Sequence, residues 1–438
     1  MVQRAIGESL KLLGRIASSE TLERLGVSGS LEKLLYRGSK LSVSAANEAL
    51  RRARPVVKLL EPERMKGKDA PASSGLFDLT LSESQQLVRD TMMSFAKESL
   101  RPHALHADEE SSVEPALLQE AHELGLTQLA VPESLGGVGE ARSMMTNVLV
   151  AEDLARGDMG LALAALAPVA VVNALVDFGT AEQQGSYLPV FIGESFYPAA
   201  FALLEARPLF DPHHLATRAS LVGGEYVLSG EKSMVPLAQK AELFLVMADL
   251  AGKPQAFLVD RGVPGLSVEH EPTMGLRAAE LGRLRLDHVR VPKENKLGGE
   301  AGVDAERIID LARIAWGALT LGTCDAVLDY VKNYARERTA FGEPIAYRQS
   351  VAFAIADIAL ELDAMRLMVY RAASRAEQGK SFRREAQLAR IQCADKGMQI
   401  GTNGVQLLGG HGFIKEHPVE LWYRQLRAIG VMEGALLV

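Results

Sequence analysis

The sequence predicts a mainly helical α+β protein with an N-terminal helical domain, a middle antiparallel β-domain and a C-terminal four-helix-bundle-like domain. Three observations carry this. Apolar residues recur at helical spacing as far as about residue 195, alternate with period two from about 196 to 300, and return to helical spacing from about 301 to the end. The strand block contains no long helices, so its strands pair as a sheet or small barrel and not as βαβ units. The last block consists of long helices with short connections, which implies an antiparallel bundle.

Residues 1–75 come first and differ in charge from the rest. Positions 1–70 hold 14 Lys and Arg against 8 Asp and Glu, while the whole chain carries a net charge of −7. "LEKLLYRGSKLSVSAANEALRRA" reads as a basic amphipathic helix and runs into a "KGKDAPASSG" linker. As a functional element this arm would contact a membrane surface or a protein partner. As a structural one it would form an extra helical layer. Glu8, Glu20 and Glu23 are wrong for a targeting peptide.

In block 76–195, Ser82 and Gln85 make a capping box, and Val88, Met92 and Phe95 follow at helical spacing. The uncharged run "MGLALAALAPVAVVNALV" at 159–176 barely reaches spanning length and contains Pro168 and Asn173, so it reads as a buried helix. In block 196–300, "GGEYVLSGEK", "ELFLVMADL", "QAFLVD" and "RLRLDHVRVP" are strands broken by Gly, Pro and Asp. Block 301–438 opens with "DAERIIDLARIAWGALTLGTCDAVLDYVKNYARER", and at least two comparable helices follow.

Composition excludes several classes. An apolar content of 47% fits a soluble globular chain, and the acidic balance argues against nucleic acid as a partner. Cys324 and Cys393 lack metal spacing and read as reduced core thiols. His213, His214, His411 and His417 form no helical HxxxH pair, so they read as solvated loop histidines and no metal is expected. The expected location is the cytoplasm, or the mitochondrial matrix in a eukaryote, with no transmembrane segment.

One residue stands out chemically. Glu433 lies in the apolar ending "VMEGALLV", and packing of that segment would carry a carboxylate inward, where it is costly unless paired or neutralised.

"VPESLGG", "MGLRAAELGRLRLDHVRVPKENKLG", "ARERTAFGEPIAYRQ" and "QLLGGHGFIKEHPVELWYR", in that order, resemble the acyl-CoA dehydrogenase family from about residue 80 to 438. The resemblance implies FAD-dependent α,β-dehydrogenation of an acyl-CoA to a trans-2-enoyl-CoA, in fatty-acid oxidation or related acyl metabolism. An electron-transfer flavoprotein would be the acceptor, and the assembly a homodimer or homotetramer. Glu433 matches the family's catalytic glutamate. Ala312, near the alternative base position, carries no carboxylate, and adjacent Arg313 matches an active-site arginine. Arg338, Phe341, Gln349, Gln406, Gly409 and Gly410 match residues that bind the ADP half of FAD on a neighbouring subunit.

The flavin-lining segments depart from the family pattern. Leu204 stands for a flavin-bonding threonine, Phe210 for a serine near the pyrophosphate, and Met234, Val235 and Pro236 for Trp-Ile-Thr, while Glu205 and Asp211 are retained. Ala435 replaces the threonine after Glu-Gly. The resemblance therefore leaves two rivals. One is a structural subunit that completes a partner's FAD site. The other is an O2-using flavin oxidase or monooxygenase of the same family.

Overall fold

Local capping starts the helices where the sequence places them. In the computed structural model, which describes residues 79–139 and 141–438, Ser82 and Gln85 close the capping box in both directions at the head of α1, Glu83–Phe95. A π segment, Ala96–Leu100, leads into α2, Arg101–Glu110, followed by α3, Pro115–Glu123, and α4, Leu126–Ala130. Helices α5, Met144–Gly157, α6, Met159–Phe178, and α7, Ala181–Phe191, complete the block. Asp158 separates α5 from α6 and caps the latter, its carboxylate accepting the Leu161 N–H at 2.8 Å.

The middle block holds seven strands among the described residues: β1, Ala199–Ala202, β2, Arg218–Val222, β3, Glu225–Val235, β4, Leu243–Leu250, β5, Lys253–Asp260, β6, Leu266–His270, and β7, Gly282–Pro292. They form one sheet in the order β1-β4-β2-β3-β7-β6, with β5 also on β4. The sheet is mostly antiparallel, but β4 takes both β1 and β2 in parallel register. The sequence predicts antiparallel neighbours throughout, and these two pairings depart from that, because period-two alternation reports which face a residue occupies and not the direction of the neighbouring strand. A second core, with Leu228, Phe244, Phe257 and Val289, fills the sheet.

Helices α8, Ala305–Glu337, α9, Gln349–Glu377, and α10, Arg383–Leu408, form the bundle, with short α11, Val419–Leu426, across their end. A two-stranded ribbon, β8, Thr339–Ala340, with β9, Glu343–Pro344, joins α8 to α9. Helix α8 also packs on α5 so closely that a Cβ at Gly322 would lie 1.9 Å from the Glu152 carbonyl oxygen. Only glycine allows that approach.

Among the described residues two helices are long and apolar enough to cross a membrane, but the windows concerned are 94% buried in α6 and 83% buried in α8, which makes both core helices. Cys324 and Cys393 are buried free thiols, and burial pushes Cys393 up to about 12. The basic arm expected at 1–75 lies outside the described residues.

Candidate active site

Glu433 is reached by an irregular segment after α11, and its neighbours clamp the backbone on both sides. The Arg390 guanidinium on α10 donates to the Met432 carbonyl at 2.7 Å, and the Trp316 indole on α8 donates to the Gly434 carbonyl at 2.8 Å. Gly434 has φ +73°, and a Cβ there would lie 2.5 Å from the Leu203 side chain just beyond β1. The Glu-Gly turn therefore packs its glycine backbone against the residue that follows β1. Substitution at Gly434 would meet both strain and collision.

The carboxylate sits between two guanidiniums. Arg313 donates to it at 3.3–3.4 Å, and Arg390 Nε lies 3.9 Å from Oε1. All three side chains are largely buried, at 12–14% exposure, so these charges meet in a weakly solvated place. Burial lowers the pKa of Arg390, while Glu433 opposes that shift. The sequence led us to expect Glu433 in an apolar, low-dielectric pocket with Arg313 near the active site. The structure instead surrounds it with cations, and Arg390 is the residue that sequence reasoning missed. Its signal was present: Ala386, Ala389 and Cys393 mark the buried face of α10, and Arg390 follows Ala389 directly.

Arg313 has a second acidic neighbour, Asp310, one turn earlier at 3.7 Å. Burial raises the Asp310 carboxyl from 3.8 to about 6 although Arg313 pulls the other way. A folded pKa above the unfolded one contributes stability that is complete below the unfolded value and lost as pH rises through 6. Asp310→Asn should therefore stabilise the fold at pH 8 by up to about 2–3 kcal/mol, with the gain vanishing near pH 4. Denaturant unfolding at both pH values measures it.

The flavin-lining candidates come together at the sheet edge. The Ser233 N–H donates to the Leu204 carbonyl at 2.9 Å, which places Leu204 beside Met234 and Val235 at the end of β3. Buried Lys232 donates to the Leu203 carbonyl at 3.1 Å and to Glu205 at 2.9 Å. Burial brings Lys232 down to about 8 against the pull of Glu205. Glu205 also accepts the Ala216 and Thr217 N–H groups at 2.7 and 2.9 Å. Burial would raise its carboxyl, but Lys232 and these donors override that and leave it below the usual range. Glu271 is a further residue missed from sequence. It accepts from the Met234 N–H at 2.9 Å and from Ser233 Oγ, and it pairs with Arg283 at 2.5 Å.

Arg338, Phe341 and Gln349 lie on the connection from α8 to α9, and Gln406, Gly409 and Gly410 lie at the end of α10. Tyr334, one turn before Arg338, joins these two regions through a 2.8 Å hydrogen bond with His411. Tyr330 binds His417 in the same way at 2.6 Å, and the two imidazoles stack. Phe341 is 94% exposed, and Gln349 and Gln406 are exposed too. The exposed Arg338 side chain has no ion-pair partner among the described residues.

These residues can be tested against FAD. The ADP end fits: Arg338 is a free cation for a pyrophosphate, and a Cβ at Gly409 or Gly410 would meet nothing within 4 Å, so a ligand can approach that backbone. The ring end is apolar. Leu204 offers no side-chain donor, the Met234 N–H is taken by Glu271, and Pro236 has no N–H. A ring there would be held by packing against Leu204, Met234 and Val235.

Beyond Glu433, residues Leu436, Leu437 and Val438 are buried and line a cavity of about 20 Å³ together with Val150, Leu166 and Ala315.

The chain matches the "Acyl-CoA dehydrogenase, N-terminal domain" over residues 82–194, the middle domain over 200–289 and the C-terminal domain over 302–436. It is 33% identical over 369 residues to the short-chain specific acyl-CoA dehydrogenase of Bos taurus mitochondria, covering 81% of this chain and 87% of that one. It is 32% identical over 364 residues to a caffeyl-CoA reductase–Etf complex subunit of Acetobacterium woodii, covering 81% and 95%. The structure of butyryl-CoA dehydrogenase from Megasphaera elsdenii superimposes with a TM-score of 0.76 at 29% identity, covering 82% of this chain and 96% of that one.

Proposed function

Because the chain belongs to the acyl-CoA dehydrogenase family, we propose that it dehydrogenates a short acyl-CoA thioester at its α,β bond, with Glu433 as the base. The observation that carries this reading is the clamp on Glu433, which holds a carboxylate beside Arg313, while the next residue, Gly434, packs on Leu203, the neighbour of Leu204. The identity of the relatives supports the substrate class.

Family chemistry removes an α-proton and a β-hydride, and FAD, when bound, supplies the hydride acceptor. The rest is the work of this chain. Glu433 takes the α-proton on a carboxylate oxygen. The backbone clamps from Arg390 and Trp316 hold that oxygen in a fixed place, which lowers the entropy cost of the transfer. As the proton moves, Glu433 loses its charge and negative charge grows on the thioester carbonyl. Arg313 and Arg390 remain to stabilise it in a site with little water.

FAD is the cofactor this reading requires: Arg338 would hold its pyrophosphate, and Phe341, Gln349, Gln406, Gly409 and Gly410 would hold its ADP half. Because these residues are on the surface, the ligand they hold belongs between two copies of the chain. Exposed Phe341, Phe353, Leu360, Ile391 and Phe413 offer apolar area for that contact. The assembly is a homo-oligomer, and an electron-transfer flavoprotein is the acceptor, as the Etf-complex relative suggests.

Purified protein reconstituted with FAD and mixed anaerobically with butyryl-CoA should bleach its flavin absorbance, and electron-transfer flavoprotein should restore it. A flavin unchanged by every acyl-CoA overturns the proposal. Arg338→Ala should weaken FAD by about 10- to 100-fold, the loss of one charge-assisted contact, measured by equilibrium dialysis. One observation favours a second reading, the structural subunit: the Met234 N–H is spent on Glu271. That reading predicts flavin binding only when a related subunit is added.

A further inference from the structure

Two imidazoles that the chemistry at Glu433 does not use sit beside the glycine pair at the end of α10. Phenols one turn apart on α8 hold them: Tyr334 Oη lies 2.8 Å from His411 Nδ1, and Tyr330 Oη 2.6 Å from His417 Nδ1. The rings stack with centroids 5.3 Å apart and planes 18° from parallel. His411 stands between Gly410 and Gly412. A Cβ at Gly412 would lie 2.2 Å from the Val405 carbonyl oxygen, so the turn is pinned to α10, whereas one at Gly409 or Gly410 would meet nothing within 4 Å. The stack is therefore fixed next to backbone that is open to a ligand.

Such a pair can hold one proton. With the phenol donating, neutral His411 carries its hydrogen on Nε2. A proton added at Nδ1 makes that nitrogen the donor, so Tyr334 must turn its O–H elsewhere, and the Leu408 carbonyl lies 3.5 Å away to accept it. Tyr330 has no second acceptor among the described residues, so the proton settles on His411. The neutral ring of His417 then lies against a cation, which is a favourable contact. A second proton would set two cations face to face. His417 shares a cleft with Arg101, Lys415, Glu416 and Glu420, of which Lys415 is paired with Glu109 and Glu420 with Arg424. Glu337 and Arg338 are the charged neighbours at the end of α8. Side chains of these types do not titrate near neutral pH, and imidazoles do.

We propose that His411, backed by His417, is a further binding residue for the ADP half of FAD: the stack takes up one proton as that half binds and sets a cation beside its phosphates. This rests on the reading that Gly409 and Gly410 hold the ADP half. Phosphate charge next to the turn favours the protonated stack, and a group that gains a proton on binding makes affinity rise as pH falls. FAD should bind about 3- to 10-fold tighter at pH 6 than at pH 8, the effect of one screened charge.

Calorimetry counts the proton directly. FAD is titrated into the flavin-free full chain at pH 7, in HEPES and in Tris, whose heats of ionisation differ. The expected results are a heat that changes with buffer in the direction of proton uptake, and tighter binding at pH 6 than at pH 8. His411→Gln should remove the uptake and flatten the pH dependence while leaving the fold, by circular dichroism, intact. Equal heats in the two buffers overturn the inference, and that comparison needs no variant. A folded His411→Gln chain that still takes up the proton overturns it as well, because the proton then goes to another group. Failure of the ADP reading would be seen separately, as FAD affinity unchanged by Arg338→Ala whatever the proton count.

Discussion

Glu433→Gln should lower turnover of butyryl-CoA by about 10²-fold or more while leaving the fold and FAD binding intact. The amide has the same shape as the carboxylate and can still accept from Arg313, so the clamps on Met432 and Gly434 remain. It cannot take a proton. The residual rate then comes from orientation alone. Steady-state assays with electron-transfer flavoprotein, beside thermal melts and flavin titration, separate the two effects. Turnover within three-fold of the unaltered protein would exclude Glu433 as base and direct attention to Asp310, the other buried carboxyl near Arg313.

Lys232→Met should be the most destabilising single change at the sheet edge, by about 3–5 kcal/mol. Lys232 is fully buried, and Glu205 is 4% exposed. Removing the ammonium leaves a carboxylate in the interior with two backbone N–H groups and a more distant Arg207 at 3.6 Å. The loss is the cost of that unpaired charge and not the net worth of the pair. The double variant Lys232→Met with Glu205→Gln should therefore recover most of the stability, because no buried charge is left. Chemical denaturation of the three variants measures this. A single variant within 1 kcal/mol of the starting protein would mean that Glu205 finds water or another cation.

Much of this architecture was legible in the amino-acid order. The change of period near residues 196 and 300 reports whether alternate or every third and fourth side chains are buried, and that is a local property. Ser82 with Gln85 marks a helix start because both hydrogen bonds close within three residues. The run at 159–176 announces a core helix because it is apolar all round. Glu433 could be singled out because a charge in an apolar ending needs an explanation.

What surrounds Glu433 was decided by the tertiary structure. Arg313 is 120 residues away and the Arg390 contact to Met432 spans 42, and no periodicity links residues at such separations. A helical pattern shows that Arg390 borders a buried face but not which carboxylate it meets there. The same holds for Glu271, which reaches the Met234 N–H across the sheet, and for β4, whose parallel neighbours follow from chain crossover and not from its residues. Side-chain identity and spacing determine which groups must be buried. Only the packing of distant segments determines their partners, and with them whether a buried carboxylate stands alone in apolar surroundings or, as here, between two arginines.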